Sequence, residues 1–241
     1  MITAFLLGFG AAASLVVGAI IAVTTKINKQ TLGLIMAFGV GVLISAVAFE
    51  LAEQAFETTR EGWTISAGLA AGALVFFGGD TLIDRLGGRK HRLGGKDIGS
   101  GGAILFGTIL DGIPESIVIG LALLHSEGIN FTVFVAVFLS NLPEAISATS
   151  GLTRGGWSKI KVIGLWTAVA LASGVASLVG YSLFASAGAV GEAFTLAFAA
   201  GALLTMLASS MMPDAYKDSG KLVGLVTTLG FGLAFLISMF S

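Results

Sequence analysis

The chain has 241 residues, of which 55% are hydrophobic and 11% are charged, and its mean hydropathy is +0.96. A soluble domain carries about 25% charged residues, so this composition predicts a membrane protein whose surroundings are the lipid bilayer. No basic stripe is present in the sequence, so no nucleic-acid partner is expected. The absence of cysteine excludes disulfides and thiolate metal sites.

Eight apolar stretches, each close to the length of about 20 residues that a bilayer requires, are delimited by charged residues. They predict an all-α, polytopic membrane protein with eight transmembrane helices in a single domain, residues 1–241. In chain order the predicted spans cover residues 2–24, 31–52, 63–83, 101–124, 129–152, 162–185, 190–212 and 221–240, and residues 85–100 form a basic loop.

The basic residues are distributed unevenly among the predicted loops. All Lys and Arg residues except Arg60 fall in the loops after spans one, three, five and seven, and the largest group is in loop 85–100. Because cytoplasmic loops carry an excess of Lys and Arg, we expect loop 85–100 to be cytoplasmic. The expected location is the cell (inner) membrane, with both termini extracytoplasmic.

Two pairs of spans resemble each other, which predicts inverted repeats. Span two matches span seven at an offset of 160 residues, through Phe38–Leu43 and Phe198–Leu203. Span four matches span five at an offset of 29, through Ile113-Pro-Glu115 and Leu142-Pro-Glu144. Successive spans run in opposite directions, so each pair has inverted topology. Inverted repeats with interrupted helices favour a transporter with a site near the membrane midplane.

A proline directly precedes a glutamate in each of spans four and five. Glu115 follows Pro114, and Glu144 follows Pro143. A carboxylate inside an apolar helix is costly in lipid and usually marks an ion path. Proline lacks an N–H and frees a backbone carbonyl one turn earlier, so we expect kinked helices four and five with oxygen ligands at membrane depth.

The spacing of these polar residues predicts a metal site. Asp111 and Glu115 lie on one helix face, as Ser140 and Glu144 do on the next helix. If the two faces pack together, Asp111, Glu115 and Glu144 converge, with Asn141 beside them. Like charges in a low-dielectric site need protons or a cation, and oxygen ligands favour Zn²⁺, Fe²⁺, Mn²⁺ or Mg²⁺ over Cu⁺. The divalent metal ion is expected as substrate, and no cofactor is expected.

Two further carboxylates lie at span ends. Glu50, near the outer end of span two, is a candidate for attracting cations at the entrance, and Asp214, at the inner end of span seven, is a candidate for guiding their exit. A solvated helix end is the alternative interpretation of Glu50, and a plain helix terminus is that of Asp214.

At the two Pro-Glu segments the chain resembles the ZIP family of divalent metal transporters. The matching segments are Asp111–Ser116 and Ser140–Ala145, and the segment beginning at Phe198 is also similar. The resemblance implies a main metal site of Asp111, Glu115 and Glu144, with Asn141 at a position that commonly contributes to a second, adjacent site. Here Asp111 stands where the family has His, which hardens the site, and missing ligands imply one metal rather than two.

The resemblance also implies a mechanism of alternating access. Spans one, four, five and six would form a mobile bundle that slides against spans two, three, seven and eight. Members of the family often dimerise through the second set, so the resemblance includes a homodimer as one possible assembly.

The sequence therefore predicts an integral membrane transporter that moves divalent metal cations into the cytoplasm through a midplane carboxylate site. No phosphate-binding loop and no HExxH motif is present, so we expect neither a primary pump nor an enzyme. Two alternatives stay open. One is a proton-coupled carrier of another solute, in which Glu115 and Glu144 relay protons. The other is a non-transporting membrane scaffold with the same fold.

Overall fold

The computed structural model describes residues 1–25, 27–85, 112, 115–123, 131–184 and 188–239, and these residues form a helical bundle. The helices are α1 (Ile2–Thr24), α2 (Lys29–Thr58), α3 (Gly62–Arg85), α4 (115–123), α5 (Phe131–Arg154), α6 (Lys159–Phe184), α7 (Gly188–Ser219) and α8 (Leu222–Ser238). No strand occurs within these ranges, so the prediction of an all-α fold is confirmed.

Six of the described helices, α1, α2, α3, α5, α6 and α7, are long and apolar enough to cross a membrane, and α8 is a shorter apolar helix of 17 residues. The protein is therefore a multi-pass membrane protein. Asp111, Pro114 and the predicted basic loop beyond Arg85 lie outside the described residues, and the predictions about them stay predictions.

Local side-chain and glycine signals mark several helix ends. The Asn28 carboxamide caps α2 by accepting a hydrogen bond from the Thr31 backbone N–H, at 2.7 Å. Gly156, between α5 and α6, and Gly220, between α7 and α8, have φ angles of 90° and 60°, which only glycine adopts without strain. These connections are short, so the chain reverses direction within a few residues at both places.

Contacts at both ends show that α2 and α7 run in opposite directions. At the start of α2 the Gln30 carbonyl accepts a hydrogen bond of 2.7 Å from Ser219, at the end of α7. At the end of α2 the Thr58 hydroxyl donates to Glu192, near the start of α7, at 3.2 Å. The antiparallel arrangement of these two matching helices is the one that an inverted repeat requires.

Opposite ends of the bundle carry different charges. Lys159 of α6 donates to the carbonyl of Val23, at the end of α1, at 3.0 Å, and only four residues separate α1 from α2. This end therefore collects basic residues: Lys29, Arg154, Lys159, Lys161, Lys217 and Lys221. The other end holds mainly acidic ones: Glu53, Glu57, Glu61 and Glu192, with Arg60.

Glycines bring pairs of helices into backbone contact. A methyl group at Gly41 of α2 would fall on the carbonyl of Thr227 in α8, and one at Gly230 of α8 would fall on that of Phe38. The pair α3 and α7 has the same reciprocal contacts, Gly201 on Leu69 and Gly72 on Phe198. The offset of 160 that relates α2 to α7 relates Gly41 to Gly201 and Phe38 to Phe198. The internal repeat is thus visible in the packing.

A second set of close glycine contacts joins α1, α4, α5 and α6. A methyl group at Gly8 would lie 2.9 Å from the Ser173 carbonyl, and one at Gly174 would lie 3.1 Å from that of Phe5, which pairs α1 with α6. Gly18 places α1 against the Leu142 carbonyl of α5, and Gly120 places α4 against Ser177 of α6. The described helices therefore fall into two groups, α1–α4–α5–α6 and α2–α3–α7–α8.

The two longest helices of the second group, α2 and α7, each contain a π-helical segment. The segment in α2 is Ala46–Ala52, and the segment in α7 is Leu207–Met211. The offset of 160 places Leu207–Met211 on 47–51, inside the first segment. Such segments insert an extra residue into the hydrogen-bond ladder and are frequent at functional sites.

Candidate functional site

Glu115 and Ser140 connect α4 to α5 at the level of the two Pro-Glu segments. The Glu115 side chain is 2% exposed, and Ser140 is fully buried. The Ser140 hydroxyl lies 3.1 Å from Glu115 Oε1 and 3.0 Å from the Val137 carbonyl of its own helix, so its single hydrogen is shared between these two acceptors. A hydroxyl donor offsets part of the cost of burying a carboxylate in an apolar bundle.

The polar residues of α5 continue from Ser140 toward the proline. Asn141 is 4% exposed, Pro143 is buried inside the helix, and Glu144 is half-buried. Residues four apart share a helix face, so Glu144 lies one turn beyond Ser140 on the same face of α5. The described part of the predicted ligand set therefore consists of carboxylate and amide oxygens, joined here by a hydroxyl.

The Leu139 carbonyl lacks its usual helical donor, because the residue four positions later is Pro143, which has no N–H. A methyl group at Gly39 of α2 would lie 3.3 Å from this carbonyl oxygen and 3.4 Å from the Ser140 Cα. The carbonyl that the proline frees thus lies against the α2 backbone, where the two groups of helices cross. Sequence reasoning predicted the free carbonyl but could not place it beside α2.

Trp166 of α6 is a residue whose role the sequence did not indicate. It is 1% exposed, and its indole Nε1–H donates to the Thr149 hydroxyl of α5 at 2.8 Å. The neighbouring hydroxyls turn back on their own helix, Ser150 to the Ile146 carbonyl and Thr153 to the Thr149 carbonyl, both at 2.8 Å. The half of α5 beyond Glu144 is therefore fixed to α6 by a buried hydrogen bond.

The two candidates for entrance and exit lie on the helices with π-helical segments. Glu50 is half-buried within the segment Ala46–Ala52. Asp214 is exposed, in the first turn after the segment Leu207–Met211. They lie at opposite ends of the bundle, since Glu50 is near the acidic end and Asp214 near the basic one.

Within the part of the chain that the structure describes, no group of three or more His, Cys, Asp or Glu side chains is arranged to hold a metal ion. Asp111 lies outside that part, so the predicted combination of Asp111, Glu115 and Glu144 stays a prediction. The donors that are described are all oxygen atoms, which suit hard and borderline divalent cations.

No protein-family model matches this chain. Over 220 residues the chain is 25% identical to a protein of Arabidopsis thaliana described as a "Putative zinc transporter". The match covers 89% of this chain and 34% of that protein. The chain therefore spans about a third of the length of the curated relative that it matches.

Proposed function

We propose that the protein carries a divalent metal cation across the membrane into the cytoplasm, through a site between α4 and α5. Glu115 and Glu144 supply carboxylates, Asn141 supplies an amide oxygen, and Asp111 completes the ligand set. Zn²⁺, Fe²⁺, Mn²⁺ and Mg²⁺ are the substrates that these ligands favour.

The observation that carries this proposal is the buried carboxylate of Glu115, held by the Ser140 hydroxyl of the facing helix. Ionisable groups inside membrane helices are costly and mark ion pathways. A divalent cation stabilises neighbouring carboxylates directly, because it neutralises charges that would otherwise repel one another. The similarity to a described zinc transporter supports the same class of substrate.

The division of the helices into two glycine-packed groups supports alternating access as the mechanism. One group, α1–α4–α5–α6, contains the candidate site, and the other contains α2, α3, α7 and α8. The site group would move as a body against the other group and expose the metal first to one side and then to the other. The antiparallel repeat of α2 and α7 fits transporters of this kind.

Uptake into proteoliposomes tests the proposal. The wild type is compared with the triple variant Asp111→Ala, Glu115→Ala, Glu144→Ala for Zn²⁺, Fe²⁺, Mn²⁺ and Mg²⁺, with reconstitution matched by immunoblot. We expect uptake of at least one metal by the wild type and loss of that uptake in the triple variant, because the variant keeps the fold but has no carboxylate at the site.

The same vesicles, with the pH of the lumen also measured, separate the alternatives. A proton-coupled carrier of another solute would acidify the vesicle lumen in response to its solute and take up none of the four metals. A scaffold would neither take up metal nor move protons. Absence of metal uptake by the wild type would therefore contradict the proposal and direct the search to protons and partner proteins.

A further inference from the structure

Gly39 of α2 is placed differently from the other closely packed glycines. Among the described glycines with a neighbour near the added methyl position, all others contact a helix of their own group. Gly39 instead faces α5 of the other group, at the backbone of Leu139 and Ser140. It therefore lies at the surface along which the two groups would have to move.

The fit at Gly39 is close without being locked. A methyl group there would lie 3.3 Å from the Leu139 carbonyl oxygen and 3.4 Å from the Ser140 Cα, so α5 would have to shift by a few tenths of an ångström. At Gly41, by contrast, the methyl group would fall on the Thr227 carbonyl, and no small shift would make room. The α2–α8 contact is fixed by its geometry, whereas the α2–α5 contact tolerates a small displacement.

The α5 turn that Gly39 faces is the turn of the candidate site. Leu139 provides the carbonyl that Pro143 frees, and Ser140 donates to Glu115. A change in the spacing between α2 and this turn would act on the position of the site without removing any metal ligand.

We propose that Gly39 is a positioning residue, whose bare backbone lets the site turn of α5 pass α2 as the two groups of helices move. This inference rests on the proposed function, because the movement has a role only if the site carries a substrate. The two groups would exchange between an arrangement that opens the site to one side of the membrane and an arrangement that opens it to the other. Side-chain volume at position 39 then sets the equilibrium and the rate of this exchange, and not the affinity of the site for metal.

The internal repeat provides the matching position. At the offset of 160, Gly39 corresponds to Ala199 of α7, which is 1% exposed and lies in the same apolar cluster as Val118 and Ile119 of α4. The α7 position therefore carries a buried methyl group that the α2 position lacks. Removal of the Ala199 methyl group should shift the balance in the direction opposite to a methyl group added at Gly39.

Three variants test the inference: Gly39→Ala, Ala199→Gly and, as the matched control, Gly224→Ala, whose methyl group meets nothing within 4 Å. Each is measured for the initial rate of Zn²⁺ uptake and for equilibrium Zn²⁺ affinity. Each is also prepared with the substitution Ser147→Cys, at a half-buried position of α5. Because the chain has no cysteine of its own, this residue is the single site at which a maleimide reacts.

We expect Gly39→Ala to lower the uptake rate about fivefold or more while the affinity stays within about twofold, since a rate effect without a binding effect marks a step after binding. Its labelling rate should differ from that of the wild type, and Ala199→Gly should change labelling in the opposite direction. Gly224→Ala should match the wild type in all three measurements.

If Gly39→Ala takes up Zn²⁺ and is labelled at the same rates as the wild type, the inference is overturned and the proposed function stays intact. If Gly39→Ala does not fold, the labelling of Ala199→Gly decides, and an unchanged labelling rate overturns the inference. If the wild type takes up no metal, the proposed function fails, and opposite labelling shifts in the two variants would still support a role of position 39 in the movement.

Discussion

At the candidate site, the Ser140 hydroxyl of α5 lies within hydrogen-bond distance of the Glu115 carboxylate of α4. The sequence singled out Glu115 and Glu144 as candidates, because a carboxylate inside an apolar stretch is costly and usually marks an ion path. It could not predict that Ser140 is the α5 residue that reaches Glu115, because this depends on how the two helices are rotated against each other. The hydrogen bond between Trp166 and Thr149 was missed for the same reason.

Ser140→Ala tests the importance of the hydrogen bond to Glu115. The substitution leaves all carboxylates in place and removes the hydroxyl that donates to Oε1. A hydrogen bond to a charged group contributes about 1.5–3 kcal/mol, so we expect Zn²⁺ uptake at low concentration to fall about tenfold or more.

The control is Ser150→Ala on the same helix, because the Ser150 hydroxyl bonds only its own helix, at Ile146. The control should transport like the wild type. Equal uptake by Ser140→Ala and Ser150→Ala would show that the contact with Glu115 has no role in transport.

At the scale of helices, most ends of the described helices lie within three residues of an end of a predicted span. The first predicted span, 2–24, coincides with α1 at Ile2–Thr24. The second predicted span stops at residue 52, whereas α2 continues to Thr58, because acidic residues at a helix end are solvated without ending the helix. The π-helical segments of α2 and α7 could not be predicted, since one extra residue in a hydrogen-bond ladder leaves no mark in the pattern of hydrophobic residues.

Gly41→Ala tests the glycine packing that joins α2 to α8. The added methyl group would fall on the Thr227 carbonyl, so the two helices must separate. Overpacking of this kind costs about 1–3 kcal/mol, and we expect a lower melting temperature in detergent and less folded protein on size exclusion.

Gly232→Ala on α8 is the control for Gly41→Ala, because its methyl group meets nothing within 4 Å. Its melting temperature should equal or exceed that of the wild type, since alanine favours a helix over glycine. A Gly41→Ala variant as stable as this control would contradict the close α2–α8 contact.

At the scale of the whole molecule, the repeat and the two groups of helices explain one another. The sequence revealed the match of α2 with α7, because both helices keep the Phe and Gly positions that pack against α8 and α3. The division into two groups follows from reciprocal glycine contacts, which involve helices far apart in the chain, and composition alone could not show which helices meet. A candidate site held on one group and flanked by the other fits the proposed mechanism of alternating access.

The most direct test of the central claim is Zn²⁺ uptake into proteoliposomes by Glu115→Gln, compared with the wild type and with Glu61→Gln. Both substitutions remove one carboxylate and keep the side-chain length, but Glu61 is exposed at the acidic end of the bundle and Glu115 is buried at the site. The account predicts that Glu115→Gln folds and that its Zn²⁺ uptake is lower than that of the wild type by about tenfold or more, which is equivalent to at least about 1.4 kcal/mol. Glu61→Gln should transport Zn²⁺ like the wild type. Equal uptake by Glu115→Gln and the wild type would contradict it.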